Sequence, residues 1–396
     1  MEFEPATHKK PSRDRSTVVC APDSFKECLS AGAVARAMAL GVRDAFPALD
    51  VVEIPMADGG EGTVEALLAS RHGEWVGAVV TGPLGERVDA EYGLIDHGRT
   101  AVIEMAAASG LALVPESERN ALTATTRGTG ELIRDALERG VQHILVGLGG
   151  SATTDGGAGM AAALGVRFLD EHGTELPDGG GALSRLHTID TSKMHPDIQH
   201  CKIEAACDVR NPLTGPQSAA QIYGPQKGAT PEMVRKLDDA LLHYARCIEE
   251  QLGLAVAEIE GGGAAGGTAA GLLVFAHAVL RPGFDMVADA CGLERAIADA
   301  ALVITGEGRL DGQSANGKTP VGVGRLAARY DVPCVAIVGT KSFGWEHSRK
   351  AGSLADVYAL DAVNADGTSV DSMTDAAVLL QQAAARLTKQ WYQAPA

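Results

Sequence analysis

Blocks of apolar residues alternate with amphipathic blocks along the chain, and this alternation predicts strands followed by helices. The run TVVCAPD at 17–23 is continuously apolar, as expected of a strand buried on both faces of a parallel sheet. A block with helical spacing follows, and Ser30 is placed to cap its first turn. DVVEIPMAD at 50–58 and GTVEALLASR at 62–71 repeat the order. The chain therefore opens as β–α–β–α.

The middle of the chain has a different pattern. EWVGAVVTG, VDAEYGLID and TAVIEMA follow one another closely, with a GPLGE turn between the first two, which predicts antiparallel pairing. An amphipathic helix, TRGTGELIRDALERG, then leads into the strand HILVGL. VRFLD and KIEAACD predict two further strands, and Thr230 and Pro231 mark the start of a long helix that runs to 253.

The strand–helix alternation returns after about Ala300. ALVITGEG, PCVAIVG and ADVYAL predict strands, TPVGVGRLAARY a helix with Pro320 at its first position, and the segment from 375 a final helix. We therefore expect an α/β protein of two domains, with the active site in the cleft between them. A doubly wound parallel-sheet domain is built from both chain ends (17–75 and 295–392), a mixed α/β domain is inserted (76–294), and residues 1–16 form a disordered tail.

Composition and charge limit the partners of this fold. The net charge of −17 disfavours nucleic acid and anionic membranes, so an anionic ligand needs local cations and backbone N–H groups. The most apolar stretch, GLLVFAHAVL at 271–280, is about half of the roughly 20 residues that span a bilayer. The N-terminal segment has no apolar core of a secretory signal, and the seven cysteines are scattered. These features predict a cytoplasmic protein.

Polar residues cluster where the predicted strands end, which is where ligands bind in open parallel sheets. The acidic residues of these loops would repel one another unless a cation lay among them, and Lys26, Arg309, Lys318 and Mg²⁺ are the candidates. The loop residues singled out on this basis are Asp23, Ser24 and Lys26; Asp58, Glu61 and Thr63; Ser151 and Asp155; Asp208; and Arg309, Asp311 and Lys318.

The glycine-rich loop GLGGSATTDGG at 147–157 admits two interpretations. Gly147, Gly149 and Ala152 satisfy the dinucleotide pattern G-x-G-x-x-[GA], and Asp170 stands where a ribose-binding acid would follow. This favours an NAD(P)-dependent oxidoreductase of a small hydroxy acid. However, Asp155 would repel a pyrophosphate unless a metal intervened, and the other acidic loops would have no role. A protein that binds a phosphorylated metabolite without turnover is a third hypothesis.

Phosphoryl transfer gives all of these loops a role. Glycines leave N–H groups bare for phosphate oxygens, and Mg²⁺ prefers a few carboxylates together with phosphate oxygens. A lysine neutralises the transferring charge, and an aspartate accepts the proton of the attacking hydroxyl. The Walker A sequence and the protein-kinase motifs are both missing, so neither of those folds is expected.

Six motifs resemble those of type I glycerate kinases and occur in the same order. The resemblance spans roughly Val18 to Gly339 and implies a two-domain α/β fold, ATP with Mg²⁺, and D-glycerate as the acceptor. Bacterial members mostly make 2-phosphoglycerate, with 3-phosphoglycerate as the open alternative; a homodimer is one candidate assembly. The motifs are APDSFKECLSA, PMADGGEGT, GLGGSATTDGGAGMAAALG, CDVRNPLTGPQSAAQIYGPQKGA, GGGAAGGTAAGLL and VITGEGRLDGQSANGKTPVGV.

This chain departs from the usual family residues at a few positions. Glu27 and Cys28 replace small residues, Thr154 replaces Asn, and Arg210 stands at a usually acidic or small position. Arg210 either strengthens anion capture or is a surface change, and we favour the latter.

We derive residue roles from these loops as hypotheses. Asp23, Ser24, Lys26, Arg309 and Lys318 are expected to bind substrate, with Arg309 or Lys318 on the glycerate carboxylate. Arg309 could instead form a salt bridge with Glu307 or Asp311. The remaining roles are: Lys26, Gly59, Gly60, Thr63, Gly149, Gly150 and Ser151 for ATP; Asp58, Glu61 and Asp208 for Mg²⁺ or hydroxyl activation; Asp155 and Asp311 as further base candidates.

Overall fold

The computed structural model describes residues 16–360 and 375–393, and the chain divides into two compact units. Unit 1 comprises Met1–Asp58, Glu65–His72 and Val287–Ala396, and unit 2 comprises Gly59–Val64 and Gly73–Met286. The short segment Gly59–Val64 thus belongs to unit 2, although the chain on both sides of it belongs to unit 1. The tail predicted over residues 1–16 lies outside the described residues, apart from Ser16.

Strands and helices alternate along most of the chain, as the apolar pattern predicts. In chain order they are β1 (Thr17–Cys20), α1 (Ala31–Ala45), β2 (Asp50–Glu53), α2 (Thr63–Arg71), β3 (Glu74–Thr81), β4 (Arg87–Ile95), β5 (Thr100–Glu104), α3 (Ala106–Ser109), α4 (Arg127–Glu138), β6 (His143–Gly147), α5 (Ala158–Ala163), β7 (Arg167–Leu169), β8 (Thr188–Asp190), β9 (Lys202–Ala206), α6 (Ala219–Tyr223), α7 (Pro231–Leu252), α8 (Thr268–Phe275), β10 (Val279–Arg281), α9 (Gly283–Cys291), α10 (Leu293–Ala298), β11 (Leu302–Leu310), α11 (Thr319–Arg329), β12 (Cys334–Lys341), α12 (Trp345–Ala351), β13 (Asp356–Ala359) and α13 (Ala376–Gln393).

Unit 1 contains a five-stranded sheet in the order β13-β12-β11-β1-β2, and all of its pairs are parallel. Val19 of β1 lies between Val303 of β11 and Val52 of β2. From β1 the chain steps to β2 on one side, whereas β11, β12 and β13 step to the other side. The loops that follow β1 and β11 therefore open at the point where the strand order reverses, the usual position of a ligand site.

Helices α1 and α13 of unit 1 pack closely along each other. Ser30 caps α1, because its hydroxyl accepts the Ala33 N–H at 3.4 Å. A Cβ atom at Gly41 would lie 2.0 Å from the Gln381 carbonyl oxygen, so only glycine permits this approach. The buried faces of both helices share one apolar cluster with the central strands.

Unit 2 contains a six-stranded mixed sheet in the order β10-β9-β6-β5-β4-β3. The pairs β3–β4 and β4–β5 are antiparallel, which confirms the expectation from the GPLGE turn, and the other pairs are parallel. Thr230 caps the long helix α7 through the Met233 N–H, with Pro231 in the first turn, as predicted. The helix that contains Pro320 begins one residue earlier than predicted, at Thr319. No helix in the described ranges combines the length and apolarity needed to cross a bilayer.

The strand predicted from VRFLD forms, but it does not join the sheet of β6. This strand, β7, pairs with β8 in a separate antiparallel sheet. The reason is packing, because the Phe168 ring contacts Tyr244 and Phe275 in the cluster around α7. Asp170 lies in an exposed turn and accepts the N–H groups of His172 and Thr174. The parallel β–α–β unit that a dinucleotide fingerprint requires is therefore not formed here.

Candidate active site

A pocket of about 340 Å³ opens in unit 1 where its parallel strands end. This volume is at the lower end of the usual range for small-ligand sites. Loops after β1 and β2 and the ends of β11 and β12 contribute to its wall, so residues distant in sequence meet here. Six residues predicted from the sequence line this pocket: Asp23, Ser24, Lys26, Asp58, Arg309 and Lys318.

Three cationic side chains belong to this pocket, and two of them contact carboxylates only loosely. The Arg309 Nε atom lies 3.7 Å from Asp311 Oδ2, and the Arg309 side chain is 67% exposed. The Lys318 Nζ atom lies 3.8 Å from Glu307 Oε2. The exposed pair of Arg309 contributes little to stability, so Arg309 can turn to an anionic ligand at small cost. Lys318, by contrast, faces the buried carboxylate of Glu307.

Asp23 holds the loop after β1 against the start of α11. Its Oδ1 atom accepts the Ser24 N–H at 2.6 Å, and its Oδ2 atom accepts the Thr319 hydroxyl at 2.6 Å. Burial raises the pKa of Asp23 to about 6, against the lowering effect of the Thr319 hydrogen bond and with a further rise from Asp58. Both oxygens of Asp23 are thus occupied by the protein.

Glu307 lies in the same pocket, and the sequence analysis considered it only as a salt-bridge partner of Arg309. Its side chain is buried at the end of β11, and its Oε1 atom accepts the Ser314 hydroxyl at 2.9 Å. Burial raises the pKa of Glu307 to about 7, although Lys318 acts in the opposite direction. The sequence signal was an acid between two glycines inside an otherwise apolar strand.

Asp311 caps the short helical turn Gly312–Asn316 after β11. Its Oδ1 atom accepts the N–H groups of Gln313 at 2.9 Å and Ser314 at 3.2 Å. Its carboxylate therefore orders the turn next to the pocket and is the ion-pair partner of Arg309.

Apart from Lys26, which lines the unit 1 pocket, the residues predicted to bind ATP phosphates lie in unit 2. Two glycine-rich segments, Gly59–Glu61 and Gly147–Ser151, touch backbone to backbone; we call them the glycine edge. A Cβ atom at Gly147 would lie 2.8 Å from the Gly59 oxygen, and one at Gly149 would lie 3.1 Å from the Gly60 Cα atom. Side chains at these positions would separate the two segments.

Gly149 and Gly150 are the exposed residues of an otherwise buried loop. Gly150 has φ +70°, which favours glycine, and its carbonyl accepts the Leu111 N–H at 2.7 Å. Within residues 16–360 and 375–393, the N–H groups of Gly149 and Gly150 have no protein acceptor. Successive bare N–H groups of this kind form anion-binding sites.

A buried lysine that the sequence analysis did not single out lies directly behind this loop. The Lys227 Nζ atom donates to Ser151 Oγ at 2.9 Å and to the Thr153 carbonyl at 2.6 Å. Lys227 is 2% exposed, and burial lowers its pKa to about 7, with Asp155 acting in the opposite direction. Its sequence context, QKG, has no feature that distinguishes it from a surface lysine.

The other predicted residues of unit 2 have mixed roles. The Thr63 hydroxyl donates to the Gly60 carbonyl at 2.7 Å and closes the turn between them. Asp208 is exposed, and its Oδ1 atom accepts the Gly283 N–H at 2.9 Å. Glu104, which the sequence analysis did not name, accepts the Val64 N–H at 2.8 Å at the start of α2. Burial raises the pKa of Glu104, against hydrogen bonds from this turn.

Asp155 is fully buried, and its carboxylate organises the loop before α5. Its Oδ2 atom accepts the N–H and hydroxyl of Thr126, both at 2.9 Å, and the Gly159 N–H at 3.2 Å. Its Oδ1 atom accepts the Gly157 N–H at 3.1 Å. Burial raises its pKa, and these donors act in the opposite direction. The four donors give Asp155 a structural role.

The carboxylates named for Mg²⁺ suit an ion that arrives with phosphates. The described ranges contain no group of three or more His, Cys, Asp or Glu side chains that could hold a metal. Mg²⁺ requires only one or two carboxylates when phosphate oxygens complete its shell. Asp58, Glu61 and Asp208 stay the carboxylates predicted from the sequence for this ion.

Comparison with known proteins agrees with the fold. The profile of the glycerate kinase family matches residues 18–392. The glycerate kinase of Halalkalibacterium halodurans is 53% identical over 331 residues, which are 84% of this chain and 87% of that protein. The glycerate 2-kinase of Escherichia coli K12 is 48% identical over 361 residues, 91% of this chain and 92% of that protein.

Among solved structures, the crystal structure assigned to glycerate kinase 2 from Salmonella typhimurium LT2 superposes with a TM-score of 0.87 at 46% identity. The match covers 96% of this chain and 99% of that chain. The resemblance and the α/β fold class predicted from the sequence are confirmed. The chain belongs to the glycerate kinase family.

Proposed function

We propose that this protein transfers the γ-phosphoryl group of ATP to the 2-hydroxyl of D-glycerate and so makes 2-phosphoglycerate. Family membership supports kinase activity on glycerate, and the relative named glycerate 2-kinase supports the 2-hydroxyl. The observation that carries the proposal is the unit 1 pocket, where cations and carboxylates stand together at the ends of parallel strands.

Glycerate binds in this pocket. The planar guanidinium of Arg309 pairs with the substrate carboxylate through two parallel hydrogen bonds, and Lys318 adds a second positive charge. Asp23 and Ser24 bound the pocket on the side of β1, and the Ser24 hydroxyl hydrogen-bonds a substrate hydroxyl. A small anion with two hydroxyl groups matches a pocket that offers both signs of charge.

Asp58 accepts the proton of the attacking hydroxyl. Asp23 and Glu307, the other carboxylates of the pocket, hold its wall through Ser24, Thr319 and Ser314, and we assign the base to Asp58, which the sequence analysis named for hydroxyl activation. A positioned carboxylate of this kind contributes about 10²- to 10⁴-fold to rate. Lys26 neutralises charge on the transferring phosphoryl group.

The glycine edge binds the ATP phosphates. The N–H groups of Gly149 and Gly150 and the hydroxyl of Ser151 donate to phosphate oxygens. Glu61 and Asp208 are the exposed carboxylates of unit 2 that would hold Mg²⁺, which when bound neutralises phosphate charge. Cytoplasmic location and a homodimeric state stay predictions.

The test is to incubate the protein with ATP, Mg²⁺ and D-glycerate and to follow ADP release, with phosphorus NMR of the product. We expect ADP release that depends on D-glycerate, with a product signal of 2-phosphoglycerate. Omission of glycerate and replacement by L-glycerate are the controls. ADP release at an equal rate without glycerate would contradict the activity. A 3-phosphoglycerate signal would contradict only the position of transfer.

A further inference from the structure

The most unusual charge in unit 2 is the ammonium group of Lys227. A buried ion loses its hydration, and this cost is normally met by a partner of opposite charge. Among the described residues, however, no carboxylate lies within ion-pair distance of Lys227 Nζ. The ammonium donates instead to two neutral oxygens, those of the Ser151 side chain and the Thr153 backbone. The Lys227 amine is thus buried without a carboxylate partner and is held by the segment that contains Ser151.

The contact with Ser151 determines what that hydroxyl can do. A serine hydroxyl has one donor hydrogen and two acceptor lone pairs. Lys227 occupies a lone pair, so the Ser151 hydrogen is available only to another acceptor. No acceptor for it is found in the described part of the chain, although Ser151 is only 8% exposed. Buried donors are rarely left unpaired in folded proteins.

The Ser151 hydroxyl, whose hydrogen has no acceptor among the described residues, adjoins the bare N–H groups of Gly149 and Gly150 in the sequence. Three donors without protein acceptors thus follow one another along the chain, with a cation directly behind the third. The chemistry that satisfies such a row is an anion with several oxygens, such as a phosphate.

We propose that Lys227 is a positioning residue for the nucleotide phosphates. It fixes the segment Ser151–Thr153 at two points, so that the Ser151 hydroxyl and the N–H groups of Gly149 and Gly150 present a fixed set of donors to phosphate oxygens. The inference rests on the proposed function for the identity of the ligand as ATP.

The experiment compares Lys227→Met, Ser151→Ala and the double variant with the wild type. ATP affinity in the presence of Mg²⁺ is measured by calorimetry, and KM values for ATP and glycerate are measured separately. We expect Lys227→Met to weaken ATP binding at least tenfold and to change the glycerate KM less than twofold. Ser151→Ala should weaken ATP binding three- to tenfold. The double variant should bind ATP no more weakly than Lys227→Met alone, because the lysine acts through the serine.

Leu237→Ala is the matched control for stability. Leu237 is fully buried in α7 and makes no hydrogen bond to Gly149, Gly150 or Ser151, so its truncation destabilises the same unit without removing a donor of the loop. We expect a lower melting temperature and unchanged ATP affinity for this variant. An equal loss of ATP affinity in Leu237→Ala and Lys227→Met would overturn the proposal, as would additive effects in the double variant.

Two outcomes keep this inference separate from the proposed function. If Lys227→Met fails to fold, unchanged ATP affinity in Ser151→Ala overturns the inference and weakened affinity supports it. If the wild type binds ATP but does not phosphorylate glycerate, the proposed function fails. The calorimetric comparison of the variants still decides the role of Lys227.

Discussion

The unit 1 pocket and the glycine edge of unit 2 both follow parallel strands, but they provide for anions in different ways. In the pocket, three cations and three carboxylates contribute their side chains: Lys26, Arg309 and Lys318 with Asp23, Asp58 and Glu307. At the glycine edge the donors are mainly backbone N–H groups, and Gly149 and Gly150, which face solvent, have no side chains.

This difference matches two different ligand groups. Backbone N–H groups at glycines carry no counter-charge and approach closely, which suits a triphosphate with many oxygens. Side chains of both signs can recognise a carboxylate and hydroxyls on one small molecule and can also accept a proton. In a protein of net charge −17, both kinds of site must create positive potential locally.

The largest expected effect is that of Asp58→Asn, which removes from the unit 1 pocket the carboxylate proposed as the base. We predict a fall in kcat of about 10³-fold, because the amide cannot accept the substrate proton. Steady-state kinetics with D-glycerate measure it, and the KM for ATP should change little.

Asp44→Asn is the control for Asp58→Asn. Asp44 lies on the exposed face of α1 and contacts Gln381, so its loss removes an equal charge outside the pocket. Full activity of Asp58→Asn would show that the pocket does not act through this carboxylate.

A second prediction concerns the pH dependence of the free energy of unfolding, which has opposite signs for Glu307 in the pocket and Lys227 behind the glycine edge. Burial raises the pKa of Glu307 to about 7, so the folded state holds this proton more tightly than the unfolded state. The free energy of unfolding should therefore fall as pH rises from about 4.5 to about 7. In Glu307→Gln this component, on the order of 3 kcal/mol, should be absent. Urea unfolding of both proteins from pH 4.5 to 8 measures the difference.

Lys227, which lies behind the glycine edge, is expected to change stability with pH in the opposite direction. Burial lowers its pKa to about 7, so the unfolded state holds this proton more tightly. Its contribution to the free energy of unfolding should rise as pH increases from about 7 to about 10.5. Parallel pH curves for the wild type and Glu307→Gln below pH 7 would contradict the assignment for the pocket.

The sequence predicted the elements that depend on local pattern. The apolar runs of β1 and β11, the turn between β3 and β4, and the caps at Ser30 and Thr230 all lie where expected. The partner of β7 could not be predicted. VRFLD has the same local pattern in either sheet, and the choice depends on Phe168 burying against rings far along the chain.

For the candidate site as well, local sequence pattern predicted some residues and missed those that depend on distant packing. Residues near the ends of strands, such as Asp23 beyond β1 and Arg309 in the last residues of β11, could be grouped because parallel strands end at one edge. Asp155, like Asp58, is an aspartate in a glycine-rich loop. Unlike a ligand-binding residue, however, it is fully buried and accepts four hydrogen bonds from the protein. Lys227 became visible only with its surroundings, since burial of a lysine is decided by packing remote in sequence.

A third prediction tests the backbone character of the glycine edge. In Gly150→Ala, a φ of +70° costs about 1–2 kcal/mol, and the new Cβ atom would lie 3.3 Å from Ala106 Cβ. We expect the KM for ATP to rise about tenfold, because the N–H groups shift by a small distance, with little change in the glycerate KM.

Gly140→Ala is the matched control for Gly150→Ala. Gly140 has φ +83° at the end of α4, and a Cβ atom there would meet nothing within 4 Å. Both variants should lose similar stability in thermal unfolding, and only Gly150→Ala should lose ATP affinity. Equal ATP kinetics in the two variants would count against a backbone phosphate site.

The smallest expected effect is that of Arg210→Ala, which asks whether side-chain charge also contributes to the proposed nucleotide site of unit 2. Arg210 follows Asp208 by two residues, and its Nε atom lies 3.2 Å from Glu260 Oε1, with the two side chains 90% and 67% exposed. A pair so exposed contributes at most about 1 kcal/mol to stability. Because bare N–H groups supply the donors of the glycine edge, we expect the KM for ATP to change less than twofold, and salt to alter wild type and variant equally. A rise in KM that disappears at high salt would instead mean that Arg210 attracts ATP through its charge, and the contrast between the two regions would then be one of degree.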